Sequence, residues 1–112
     1  MRKFFLLLII CLGTAHLGFS QKVYAVKYSS SADVKVFVSK YQSSADLIVY
    51  KARYGSEADD NEGVWFFTDY ESSADKTIFF CDYESSADVT IYFSDYKSSA
   101  GWRDNAKKHF FY

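Results

Sequence analysis

The chain contains no proline, five glycines, two cysteines and two histidines in 112 residues. Each scarcity excludes something. Without proline, no segment is barred from a β-ladder for want of an N–H. Glycine-rich phosphate loops, Cys-x-x-Cys pairs and histidine clusters are all missing. Cys11 lies in an N-terminal apolar stretch, so Cys81 is the one thiol beyond it, and no intramolecular disulfide staples residues 21–112. Among the small and aromatic residues around it, Cys81 reads as a buried, inert thiol. His109 is the single histidine past residue 20, and one histidine among many serines does not define a catalytic triad, which is a matter of geometry. A small hydrolase with a cleft at His109 is therefore the weakest functional reading.

The first twenty residues read as a signal peptide. Arg2 and Lys3 precede a nine-residue apolar run, Phe4 to Leu12, too short to span a bilayer, and Gly18 and Ser20 suit cleavage before Gln21. The expected product is a single domain of residues 21–112, secreted or periplasmic, with no membrane association after cleavage. Setting aside Arg2 and Lys3 leaves 11 of the 13 basic side chains against 14 acids. That balance argues against a nucleic-acid partner, whose footprint is basic and clustered. A domain this small buries a modest share of its surface and needs a dense core. Aromatic residues, 21% of the chain, are the expected source.

What is abundant is one phrase. DYESSAD occurs at Asp69–Asp75 and again at Asp82–Asp88, with looser copies from Tyr28, Tyr41, Tyr54 and Tyr96. The motif tyrosines Tyr28, Tyr41, Tyr54, Tyr70, Tyr83 and Tyr96 are spaced 13, 13, 16, 13 and 13 apart, the long step falling around Asp60, Asn61 and Glu62. Thirteen residues fit one strand and one tight turn, and a fixed period of this kind marks an internal repeat. Segments such as Val89–Tyr96 are rich in β-branched and aromatic residues, as strands are.

Aligned in columns, one face reads aromatic (Tyr24, Phe37, Tyr50, Phe66, Phe79, Tyr92), then small (Val26, Ser39, Ala52, Thr68, Cys81, Ser94), then motif tyrosine. The opposite face reads Val23, Val36, Val49, Trp65, Ile78, Ile91, and then Ala25, Val38, Lys51, Phe67, Phe80, Phe93. Both faces are largely apolar, so strict in-and-out alternation does not hold. The expected fold is all-β: a compact six-repeat strand-turn domain, either sandwich-like or wound in layers. Lys51 is the exception, and its stem must reach water.

The turn carries a serine (Ser30, Ser43, Ser56, Ser72, Ser85, Ser98) and, three residues on, Asp33, Asp46, Asp59, Asp75 or Asp88; Gly101 takes the sixth place. This spacing resembles a capping box, so each copy reads as a self-capped corner. A calcium ladder is the competing reading, but one aspartate beside an alanine supplies few ligands per site. The residue before each motif tyrosine splits by half: Lys27, Lys40 and Arg53, then Asp69, Asp82 and Asp95. Opposite charges on paired neighbours stabilise and like charges repel. Repeats one to three are thus expected to lie against repeats four to six.

These corners, with the closing AGWRDNAKKHFFY, are similar to a small family of uncharacterised bacterial and viral proteins built from Tyr-x-Ser-x-Ala-Asp repeats. The resemblance covers Val23 to Tyr112. It implies a deeply knotted β-domain in which the two halves wind about each other as a torus knot. It carries over no catalytic or binding residue.

Function is sought where the repeat breaks. The candidate interaction residues are Asp60, Glu62 and Trp65 at the inserted loop and Trp102 and Arg103 in the C-terminal segment, which is expected to form a short helical cap with Trp102 and Phe110 on the core. No cofactor or metal is implied. The leading expectation is a secreted, non-enzymatic, monomeric structural or interaction module of high stability, with a protein or glycan partner. The alternative is a ligand-binding module for glycan or divalent cation. A glycan binder would expose the motif tyrosines; a purely structural module would bury them.

Overall fold

Each repeat forms one short strand in the computed structural model, which describes residues 21–58 and 61–112. The strands are β1 (Lys22–Ala25), β2 (Val34–Val38), β3 (Leu47–Lys51), β4 (Val64–Phe67), β5 (Lys76–Phe80) and β6 (Val89–Ser94), followed by a two-residue β7 (Gly101–Trp102). Strands β1 to β6 pair in parallel in the order β4-β1-β5-β2-β6-β3, and β3 returns to β4, so the sheet closes into a barrel. The fold is therefore the wound alternative rather than a sandwich. Most steps along the chain skip one place in the ring: β5 lies between β1 and β2, and β6 between β2 and β3. The chain circles twice, and the second circuit fills the gaps left by the first. Every pairing of β1, β2 and β3 is to a strand of the second half, as the split between halves suggested.

The register explains how so short a repeat makes parallel neighbours. Ala25 of β1, Ile78 of β5 and Val34 of β2 stand level, so β2 begins where β1 stops. A parallel crossover ordinarily runs back the length of a strand and takes a dozen or more residues. Here the chain never runs back. Followed round the ring, the register offset reaches about a dozen residues, roughly twice the strand number. A shear equal to the strand number tilts strands by ~36°, so these are steeper. At two residues per strand, equivalent positions of all six repeats share one height on the barrel axis and point the same way.

That geometry turns the sequence columns into layers. Val23, Ile78, Val36, Ile91, Val49 and Trp65 form the central layer, and each is 0% exposed. Below it lie Val34, Val89 and Leu47, also buried. Above it, Ala25, Phe80, Val38, Phe93, Lys51 and Phe67 ring an open mouth, where the Lys51 ammonium sits 4.6 Å from the Phe93 ring centroid and 5.3 Å from that of Phe67. Lys51 thus keeps its charge in water and its stem on aromatic faces. The outward aromatic column is half-buried, because the corners of neighbouring repeats pass over it.

The lower end is plugged. After Gly101 the chain reverses to pair antiparallel with β3, then forms a 3-10 helix, Asn105–Phe111, capped by the Asp104 carboxylate, which accepts from the Ala106 N–H at 3.1 Å. The cap is helical as expected and packs Trp102 and Phe110, both partly buried, against the core; its plug is Phe111, 2% exposed and 5.1 Å from Trp65 between ring centroids. Gly63, at φ 88°, lets the inserted loop enter β4 against β3: a Cβ there would stand 2.3 Å from the Ile48 carbonyl oxygen.

Candidate functional site

The corners are 3-10 turns at Ser29–Ser31, Gln42–Ser44, Gly55–Glu57, Glu71–Ser73, Glu84–Ser86 and Lys97–Ser99. The expected serine cap is absent. The six motif serines are the exposed middle residues of these turns, and no motif serine caps the N-terminus of any of them. Instead, hydroxyls from the small column brace the motif tyrosines. The Tyr41 and Tyr96 N–H groups donate to the Ser39 and Ser94 hydroxyls at 3.0 and 3.1 Å, and Tyr70 N–H to the Thr68 hydroxyl at 3.2 Å. In the third repeat Ala52 has no hydroxyl, and Glu57 takes over. Its carboxylate accepts from the Arg53 and Tyr54 N–H groups at 2.8 and 3.2 Å, and these bonds hold its pKa below the ordinary glutamate value.

The motif aspartates reach across to the other half. Asp33 donates its N–H to the Thr77 carbonyl, while the Thr77 N–H donates back to the Asp33 carboxylate at 2.9 Å. The same two-point clamp joins Asp46 to Thr90, Asp75 to Lys22 and Asp88 to Lys35. First-half aspartates grip second-half strands and the reverse. Each carboxylate is committed to a backbone N–H, and no group of three or more histidine, cysteine, aspartate or glutamate side chains suited to a metal occurs among the described residues. The corner aspartate thus satisfies a strand end, as buried or half-buried backbone groups require.

The sequence-derived candidates take structural places. Trp65 belongs to the central layer and is wholly buried, so it is not an interaction surface. Glu62 pairs with Lys108 at 2.8 Å. The Trp102 indole donates to the Asn61 carbonyl at 3.0 Å, and the Arg103 guanidinium to the Gln42 carbonyl at 2.6 Å. Together with the Lys107–Asp46 pair at 3.1 Å, these contacts fasten the C-terminal plug. Asp59 and Asp60, like the N-terminal twenty residues, lie outside the described residues. His109 is exposed, with its ring stacked 4.3 Å from Phe110. The Cys81 thiol contacts the Ser86 carbonyl at 3.7 Å, and burial, reinforced by the Asp88 charge, pushes its pKa up, away from reactive thiolate.

The split charges do not pair directly: among the described residues, none of Lys27, Lys40, Arg53, Asp69, Asp82 and Asp95 forms an ion pair. All six are exposed. The interleaving of the halves nevertheless sets their order round the ring as Lys27, Asp82, Lys40, Asp95, Arg53, Asp69, with the sign alternating at every step.

What remains at the surface is the tyrosines. All six motif rings are 67–72% exposed, the least buried large apolar groups of the barrel wall. Beside two of them lie matching depressions. One, of about 210 Å³, is formed by Tyr24, Val26, Lys27, Tyr28 and Ser31, with Glu71 from the preceding corner in the ring. The other, of about 310 Å³, uses the equivalent residues Phe79, Cys81, Asp82, Tyr83 and Ser86, with Ser29 from its own preceding corner, and adds Lys35. The site is therefore a repeated element of the wall. Sequence reasoning placed its candidate interaction residues at the breaks in the repeat and named the tyrosine row only under the glycan alternative; the signal for the row was an invariant aromatic in a turn, where glycine, asparagine or proline is usual.

A family model described as the 7(1) septoil knot domain matches residues 20–103. No curated protein and no solved structure matches the chain. The match takes in all six corners and every strand of the doubly circling barrel, and the chain belongs to the septoil knot domain family.

Proposed function

We propose that this chain is an exported, non-enzymatic binding module that presents six equivalent tyrosine corners on an unyielding barrel. The observation that carries the reading is the exposure of all six motif rings, 67–72%, beside a central layer at 0%. Exposed aromatics scattered singly on a surface need no explanation, but a regular ring of them on so small a domain marks a contact surface. At Tyr41, Tyr54, Tyr70 and Tyr96 the braced backbone on the N-terminal side gives the ring a fixed position at little entropic cost on binding. The cation form of the alternative reading gains no support, since the described motif carboxylates already hold backbone N–H groups.

The test is to replace all six tyrosines with serine. Each exposed substitution is expected to change stability by no more than about 0.5 kcal/mol. Six such changes sum to at most about 3 kcal/mol, so the variant should keep its far-UV circular dichroism and a cooperative melt, lowered by no more than roughly 12–24 °C. A collapse of the barrel would mean that the tyrosines serve stability and would overturn the reading. Export predicts in addition that the protein recovered outside the producing cytoplasm begins at Gln21.

A further inference from the structure

We infer that the ligand of the tyrosine corners is an uncharged glycan, bound by several corners at once. The inference rests on the tyrosine reading and adds a ligand class to it. Each of the two depressions offers a saccharide ring an exposed tyrosine face, a second aromatic ring and a serine of the corner. Such a mixture of flat apolar surface and hydroxyl partners suits a molecule with apolar faces and a polar edge.

The charges select against ionic ligands. One depression holds Lys27 opposite Glu71, and the other Asp82 opposite Lys35. The balance is reached with different residues in the two places. Where the ring position is lysine, the compensating acid follows the preceding tyrosine; where it is aspartate, the compensating lysine lies on the next strand. The sequence repeats both solutions thirteen residues away. Lys40 stands where Glu84 can answer it, and Asp69 where Lys22 can, with Lys22 Cε 3.3 Å from where a Gly55 side chain would begin. Alternation of ring charges alone would leave lysine corners basic and aspartate corners acidic. The second set of charges cancels that at the two depressions, and the same pairing of residue types recurs in the sequence at two further corners. A polyanion or a polycation would meet repulsion at each of them, whereas a neutral polyhydroxylated chain finds donors and acceptors. Repetition of one shallow site round a rigid wall favours a polymer, because weak contacts then multiply through effective concentration.

Isothermal titration of the full chain against neutral hexasaccharides (cellohexaose, chitohexaose, laminarihexaose, mannohexaose) and acidic ones (oligogalacturonate, oligoalginate) tests this. At least one neutral oligomer should bind, with a Kd that shifts less than about 2-fold between 50 and 500 mM NaCl, as expected of a ligand without charge. Tyr28→Ala and Tyr83→Ala should each weaken it roughly 2- to 10-fold. The parent polysaccharide should bind more tightly than the hexamer by on the order of 10²-fold. Binding confined to acidic oligomers and abolished by salt would overturn the neutral class. Failure of every glycan to bind, with the six-serine variant still folded, would overturn the glycan inference and leave the tyrosine surface standing. Collapse of that variant would instead remove the reading beneath it.

Discussion

The two halves of the chain are near copies in their corners and differ column by column in their strands. At the mouth, the first half has Ala25, Val38 and Lys51 where the second has Phe67, Phe80 and Phe93. At the ring position, the first half is basic and the second acidic. Both columns are places where neighbours round the barrel must fit each other. Because the halves interleave strand by strand, a difference between halves becomes an alternation in space: aliphatic beside aromatic at the mouth, counting the Lys51 stem, and positive beside negative at the ring. The central layer splits by half as well, with Val23, Val36 and Val49 in the first and Trp65, Ile78 and Ile91 in the second, so valine alternates with a larger side chain round the ring, and the Trp65 ring fills space down to the Phe111 plug. Each of these columns distinguishes a strand's own half from its neighbour's. Two like threads would otherwise be free to pair with themselves, and complementary columns are a device against that register.

The hardest way to break the comparison is to separate the halves. No ladder joins two strands of β1 to β3, nor two of β4 to β6. Residues 21–58 and residues 63–112, made as two peptides, are each expected to be unfolded by circular dichroism, since isolated parallel strands without partners have no core. Mixed in equal amounts they should regain the β spectrum and a cooperative melt. Two-state unfolding of either peptide alone would show that a half contains its own fold. In the intact chain the same non-local pairing predicts slow refolding, because every parallel ladder except β3–β4 closes a loop of some 44 to 53 residues before it gains contacts.

The next test cuts one clamp between the halves. Asp88→Ala leaves the Lys35 N–H without its 2.9 Å acceptor in a half-buried position and should cost about 1–3 kcal/mol, read as a lowered urea midpoint at unchanged slope. Ser85→Ala, three residues away at the exposed middle of the same corner, should stay within about 0.5 kcal/mol. Equal losses at both would return the corner to the self-capped form that its spelling suggests.

That misreading shows where the sequence is legible. Period, strand type and the columns survive translation into structure, because a shear of two residues per strand puts equivalent positions at equal height. The burial of Trp65 was readable from its own column, Val23 to Ile91, even though the adjacent acidic loop drew it toward the surface. The aspartate was not readable. Serine and aspartate at i and i+3 have the spacing of a local cap, and the true partner lies in another repeat 44 or 53 residues off, known only once the ring order is known. The closing phenylalanines pose the same difficulty in smaller form: Phe110 and Phe111 are adjacent and alike, and only the direction of the 3-10 helix chooses Phe111 as the plug.

The smallest effect tests the ring of charges. Lys40 stands between Asp82 and Asp95 in the ring order, so Lys40→Asp sets three acids side by side. The contacts are solvent-exposed and longer than an ion pair, so the expected loss is about 0.2–1 kcal/mol at low salt and less at 1 M NaCl, where the screening length falls to ~3 Å. Lys40→Gln should lose less than Lys40→Asp, because it removes attraction without adding repulsion. Reversal of all six signs, together with those of Glu71, Glu84, Lys22 and Lys35, restores both the alternation and the balance within the depressions and should restore the parent's melting temperature, although none of these residues is then native. A combined reversal that melts as low as the sum of its parts would mean that the signs matter one by one, through contacts other than these neighbours. Recovery would mean that what the halves preserve is their difference, since either sign serves as long as the other half carries its opposite.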